Sequence, residues 1–170
     1  MSKANFSDDF KREGLEIVTV EHPLIIKEQA MISGEIKRHT DYESGPTPLR
    51  VGPEDRNLAD EMPGEQALIY KLDGKGLVVL TACCHAGIVN TVRHAQEVTG
   101  VEDVHAILGG FHLTGASDER VEKTVDDLAA LDPDFIVPMH CTGLAAIDVL
   151  KTRLGDRILC NSVGTQYQFE

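Results

Sequence analysis

The sequence predicts an α/β fold in which helices cover a sheet. Short apolar runs rich in β-branched residues alternate with stretches whose apolar positions recur every three to four residues. Most helical stretches are bounded by capping or breaking residues. The alternation is regular over 66–170, and the whole of 1–170 is expected to form one domain. With 170 residues, 42% apolar and 26% charged, the chain can bury a real core but leaves little room for a second domain.

The first third reads as irregular. Short β-like runs at 17–20 and 24–26 flank His22-Pro23, and 31–32 is another candidate strand. Four prolines and many acids make 39–64 read as a loop, a surface excursion or part of a substrate lid. The runs Ala67–Leu72 and 77–81 are separated by Asp73-Gly74-Lys75-Gly76, which signals a hairpin. Ile88, Val92, Ala95 and Val98 share a helical face, so 87–98 reads as a helix ending before Gly100. A buried strand follows at 104–108. Ser117 can cap a helix over Asp118–Leu131, with two acids in its first turn and Pro133 after its end. The remaining elements are a strand at 135–137, a helix at 142–154 with Leu144, Ile147, Leu150 and Leu154 inward, a strand at 158–160 and an edge strand at 166–169.

Composition removes several function classes. A formal net charge of −12 argues against nucleic acid as a partner. It would also repel an anionic substrate unless local positive charge, such as a metal, attracted it. No apolar run reaches the length of a membrane span, and the opening MSKANFSDDFKREG is polar. No membrane partner and a cytoplasmic location are therefore expected. Cys83, Cys84, Cys141 and Cys160 form no CxxC pair, and they read as buried free thiols beside a site rather than as a disulfide framework.

Three histidines occupy equivalent places. His85, His112 and His140 each lie a few residues beyond the end of an expected strand, where α/β proteins collect their sites. Gly87 and Thr142 open the helices that follow two of them, and helix N-termini present free N–H groups to anions. Imidazole is a common ligand of zinc and iron. His22, His39, His94 and His105 read instead as satisfied, partly buried side chains; His94 is placed away from its helix's apolar stripe.

The stretches LTACCHAGIVNTV, AILGGFHL and PMHCTG, with SGEIKR and DEMPGEQALIY upstream, resemble one branch of the metallo-β-lactamase superfamily. That branch includes dihydropterin ribofuranosylaminobenzene-phosphate synthases. The resemblance runs from about Ile17 to the end. It implies the C-terminal part of an αββα sandwich holding two metals, and a metal-dependent hydrolase or synthase acting on a small phosphorylated or pterin-like molecule. By the same resemblance His85 and His140 are metal ligands, and His112 stands near the place of a bridging acid, facing metal or substrate in a catalytic role. Gly87, Thr142 and Gly143 are the implied substrate contacts. The cofactor would be a divalent metal, zinc first, with manganese or iron as alternatives. The superfamily's HxHxDH motif is absent from these residues. The expected partners are therefore a small-molecule substrate and either a second copy or a complementing N-terminal chain. A non-catalytic remnant that binds a partner chain or small anion is the competing reading. A thiol enzyme using Cys84 or Cys141 ranks below both.

Overall fold

The computed structural model describes residues 13–43, 50–52, 58–60 and 62–169. Strands β1 (Leu24–Lys27), β2 (Ala30–Ile32), β5 (Ala67–Leu72), β6 (Gly76–Thr81), β7 (Val104–Gly110) and β8 (Phe135–Met139) form one sheet in the order β1-β2-β5-β6-β7-β8. The first four pair antiparallel, and β6, β7 and β8 run parallel. Parallel neighbours need crossovers, and these are α1 (Ile88–Thr99) and α2 (Asp118–Leu131). A 3₁₀ turn at His140–Thr142 leads into α3 (Leu144–Leu154). Because β6, β7 and β8 point the same way, their C-terminal ends share one edge of the sheet.

Period-two alternation settles which residues meet the helices. Ile69, Val79, Ile107 and Ile136 lie side by side across paired strands and are buried. Ile107 and Ile136 join Ile88, Val92, Val125, Leu128 and Leu150 in one core cluster, and Ile69 and Val79 join Leu77, Ala86 and Ala95 in a second. On the other face Leu68, Tyr70 and Leu80 stay partly exposed.

All three expected helices form. Ser117 Oγ accepts from Arg120 N at 3.3 Å at the start of α2, as its sequence signal implies, and Asp132 closes α2 in the left-handed region. Several expectations need correction. Residues 17–20 form no strand, although Gln66 Nε2 donates to the Val20 carbonyl. The strand at 158–160 shrinks to one parallel bridge, Ile136 to Ile158, because the 3₁₀ turn Gly155–Arg157 brings only one residue into register. Residues 166–169 do not pair at the edge. Phe169 instead packs its ring against His105 and Phe135, with centroids 5.3 and 6.1 Å apart. Leu144 is 81% exposed rather than inward, whereas Leu150 of the same expected stripe is buried, Ile147 and Leu154 are half-buried, and Ala146 is buried with them. Within 39–64, β3 (Arg50–Val51) pairs with β4 (Leu58–Ala59), so the region is not wholly irregular. Residues 44–49, 53–57 and 61 lie outside the described residues, as does most of the polar opening.

Candidate metal centre

Three loops leave the shared strand edge. The turn after β6 carries Cys83, Cys84 and His85, the turn after β7 carries His112, and the turn after β8 carries His140 and Cys141. Backbone strain concentrates there. Among the described non-glycine residues, positive φ occurs at Met62, Cys84, His112, Asp132 and His140, and three of these five belong to the strand-end loops. Such conformations persist where surrounding contacts over-determine them, often at functional sites.

The loops bring their donor atoms together around Cys83. One ligand atom from each of Cys83, His85 and His112 lies within 4.8 Å of the others, and so does one from each of Cys83, His140 and Cys141. Cys83 Sγ is 3.1 Å from Cys141 Sγ and 3.5 Å from His112 Nδ1. The His85 and His112 rings meet edge-on at 4.6 Å. The three histidines singled out from sequence thus converge at one edge, His85 half-buried and the other two exposed. Close approach of the third loop depends on Gly110, where a Cβ would lie 2.7 Å from Cys141 Sγ.

Glu65, just before β5, fixes the orientation of His85. Its Oε1 accepts from His85 N at 2.6 Å and from His85 Nδ1 at 2.9 Å, while Oε2 accepts from Ala86 N at 2.5 Å. A carboxylate only accepts, so Nδ1 carries the proton and Nε2 keeps its lone pair. This carboxylate–imidazole arrangement is the one that orients histidine ligands at metal sites. The sulfur and nitrogen donor set also suits zinc. The residues present therefore fit a divalent metal.

Electrostatics sorts the remaining groups. Burial, then the His85 charge, pushes the His112 pKa down, so its neutral form is favoured. Burial, then its hydrogen bond to Cys141, pushes the Cys83 thiol up to about 11. Cys84 is fully buried beside Thr91 Oγ1, and burial raises it to about 12. Cys84 is thus a packed, inert thiol, as expected, but Cys83 and Cys141 are only half-buried and Cys160 is exposed, so burial holds for one of the four cysteines.

The expected substrate contacts divide. At the start of α1, Val89 N and Asn90 N donate to the two oxygens of Glu43, at 2.9 and 2.8 Å. Gly87 has φ 99°, and a Cβ there would lie 2.3 Å from the Glu43 carboxyl carbon. That terminus already holds a carboxyl group, one belonging to the protein itself, and Gly87 makes room for it. Thr142 is buried, and its hydroxyl accepts from Phe111 N and donates to the Met139 carbonyl. Gly143, φ 80°, leads into α3, whose N-terminus has no side-chain cap. It borders a groove of about 560 Å³ lined by Leu113, Thr114 and Val149 among others.

Comparison with known proteins bears on what these loops belong to. A crystal structure of a metal-dependent hydrolase of the β-lactamase superfamily matches with a TM-score of 0.77 and 28% identity, over 91% of this chain and 58% of that one. The chain has the β-lactamase-superfamily fold. Two proteins of Methanocaldococcus jannaschii match it in sequence. The 7,8-dihydropterin-6-methyl-4-(β-D-ribofuranosyl)-aminobenzene-5'-phosphate synthase is 31% identical over 145 residues, covering 82% of this chain and 48% of the synthase. An uncharacterized protein is 33% identical over 141 residues, covering 83% of this chain and 50% of its own length. The chain thus spans about half the length of the curated relatives it matches. No protein-family model matches it. Within the superfamily fold, the α/β elements expected from sequence are those that bring the strand-end histidines together.

Sequence reasoning missed Glu65, Glu43 and Cys83. Glu65 lies in DEMPGEQALIY, a stretch already notable for its resemblance. Glu43 stands in an acid-rich stretch where nothing local distinguishes it. Cys83 was grouped with its neighbours because only the third loop reveals what it faces.

Proposed function

We propose that the chain contributes the strand-end half of a metal-dependent hydrolase or synthase centre. The observation that carries this reading is the convergence of His85, His140, His112 and Cys83, with Glu65 orienting His85. His85, through Nε2, would hold one divalent cation and His140 a second, with Cys83 within reach of both and Cys141 beside His140 as thiolate ligands. Such a donor set favours zinc over magnesium or calcium, and manganese or iron remain weaker alternatives. When bound, the cation supplies Lewis acidity and an acidified water for attack on a phosphoryl or carbonyl centre.

The chain's own residues do the rest. His112, held towards its neutral form by burial and by His85, accepts a proton at Nε2, the ring nitrogen that does not face Cys83. The uncapped start of α3, at Gly143, offers free N–H groups to an anionic substrate, with Thr142 bracing the turn. A small phosphorylated or pterin-like substrate agrees with the name of the synthase relative. No HxHxDH occurs in the 170 residues, so the centre is completed by ligands from a complementing chain or segment.

The absent motif also supports the second reading, a non-catalytic fold remnant that binds a partner or small anion. One assay separates the two. The chain alone, and then with an HxHxDH-bearing chain, is assayed with zinc on p-nitrophenyl phosphate and bis-p-nitrophenyl phosphate. Turnover that needs both chains and disappears with His140→Ala supports the centre. Its absence under all conditions, with the two chains shown to associate, supports the remnant.

A further inference from the structure

A second cluster of donor atoms lies on α1, in residues the strand-end centre does not use. His39 comes from the segment after β2, and His94 and Glu97 sit three residues apart on one face of α1. One ligand atom from each lies within 4.8 Å of the others, and His39 Nε2 is 3.6 Å from Glu97 Oε2. The segment is held in place independently, because His39 N and Thr40 N both donate to Asn90 Oδ1, at 2.5 and 2.7 Å.

The decisive residue is His94, which is only 3% exposed. Its Nε2 lies 3.1 Å from the Ser33 carbonyl oxygen. A carbonyl can only accept, so Nε2 carries the proton, and in a neutral ring Nδ1 holds a lone pair. That Nδ1 is buried and has no hydrogen-bond partner. Buried polar atoms are rarely left so, and each such atom calls for an explanation. A ring nitrogen freed by a backbone carbonyl on its other N–H is the usual state of a metal-binding imidazole.

We propose that His39, His94 and Glu97 form a zinc site, separate from the strand-end centre. Two imidazoles and one carboxylate make a known zinc donor set that leaves one position open. At present the Lys37 ammonium pairs with Glu97, and both side chains are well exposed, so a divalent cation can displace it. Zinc here ties the segment carrying His39 to α1 and fastens the approach of Glu43 to that helix's N-terminus.

The test uses the full chain carrying His85→Ala and His140→Ala, which disables the strand-end centre. Titration with zinc should still show one equivalent bound. His39→Ala and Glu97→Gln, both at exposed positions, should each weaken that binding by at least the roughly tenfold that losing a ligand's hydrogen-bond partner costs. Lys37→Met should strengthen it. In ¹⁵N-labelled protein without substitutions, zinc should shift the His94 Nδ1 resonance while Nε2 keeps its proton. Failure to bind zinc in the double variant, indifference to His39→Ala and Glu97→Gln, or a shift at Nε2 instead would each overturn the proposal.

Discussion

Glu65 grips His85 through both its backbone and its ring, so one substitution probes the centre without touching a proposed ligand. In Glu65→Gln the carboxylate charge is lost and the His85 tautomer is no longer fixed. Zinc affinity, read by competition with a chelator, should fall about 10–100-fold with the circular dichroism spectrum unchanged. Equal affinity would mean His85 is not a ligand. Glu43 makes a pH prediction. Burial raises its pKa in the folded protein despite the two N–H groups it accepts from. A carboxyl with a raised folded pKa contributes stability below its unfolded pKa and loses it as pH rises through the folded value. Chemical denaturation should therefore show stability declining above the ordinary carboxylate range, and Glu43→Gln should flatten that decline. The histidines His85, His112 and His140 were legible because strand ends can be read locally. Glu65, Glu43 and His94 were not, because their roles depend on which distant backbone they meet.

At the level of elements, capped helices were the most legible. Ser117 and the acids after it mark the start of α2 to the residue, since both signals act within one turn. The third helix was misread only at its first position, Leu144. The 3₁₀ turn at His140–Thr142 and the positive φ of Gly143 re-aim the chain before α3 begins, so Leu144 at its first position faces out while the rest of the expected stripe faces in. This reassignment is measurable. Leu150→Ala should cost about 2–5 kcal/mol in urea unfolding, as for other fully buried leucines. Leu144→Ala should stay within about 0.5 kcal/mol, as at exposed sites. Equal costs would put Leu144 back in the inward stripe with Leu150. The parallel strands β6, β7 and β8 were read as strands correctly, but their shared direction emerges only from crossovers that pack on one face.

On the scale of the molecule, the sheet has one face under helices and one largely without them. On the second face Leu68, Tyr70 and Leu80 are 39, 39 and 38% exposed, and they line a groove of about 340 Å³ with Tyr167 and Phe169. Contiguous apolar surface of this kind tends to be covered by a partner. Sedimentation at micromolar concentration should show association that Leu68→Lys with Leu80→Lys disrupts. A monodisperse monomer would count against a covered face. Among the described residues no helix is long and apolar enough to cross a membrane.

The central claim is that the strand ends assemble a metal centre from His85, His140 and the thiols beside them. Zinc-edge X-ray absorption tests it most directly on protein carrying His39→Ala and Glu97→Gln, which leaves the strand-end donors untouched. The account predicts bound zinc with imidazole nitrogen and at least one sulfur in its first shell, and loss of that zinc when His85→Ala and His140→Ala are added. Zinc retained with an unchanged shell after those two substitutions would contradict it.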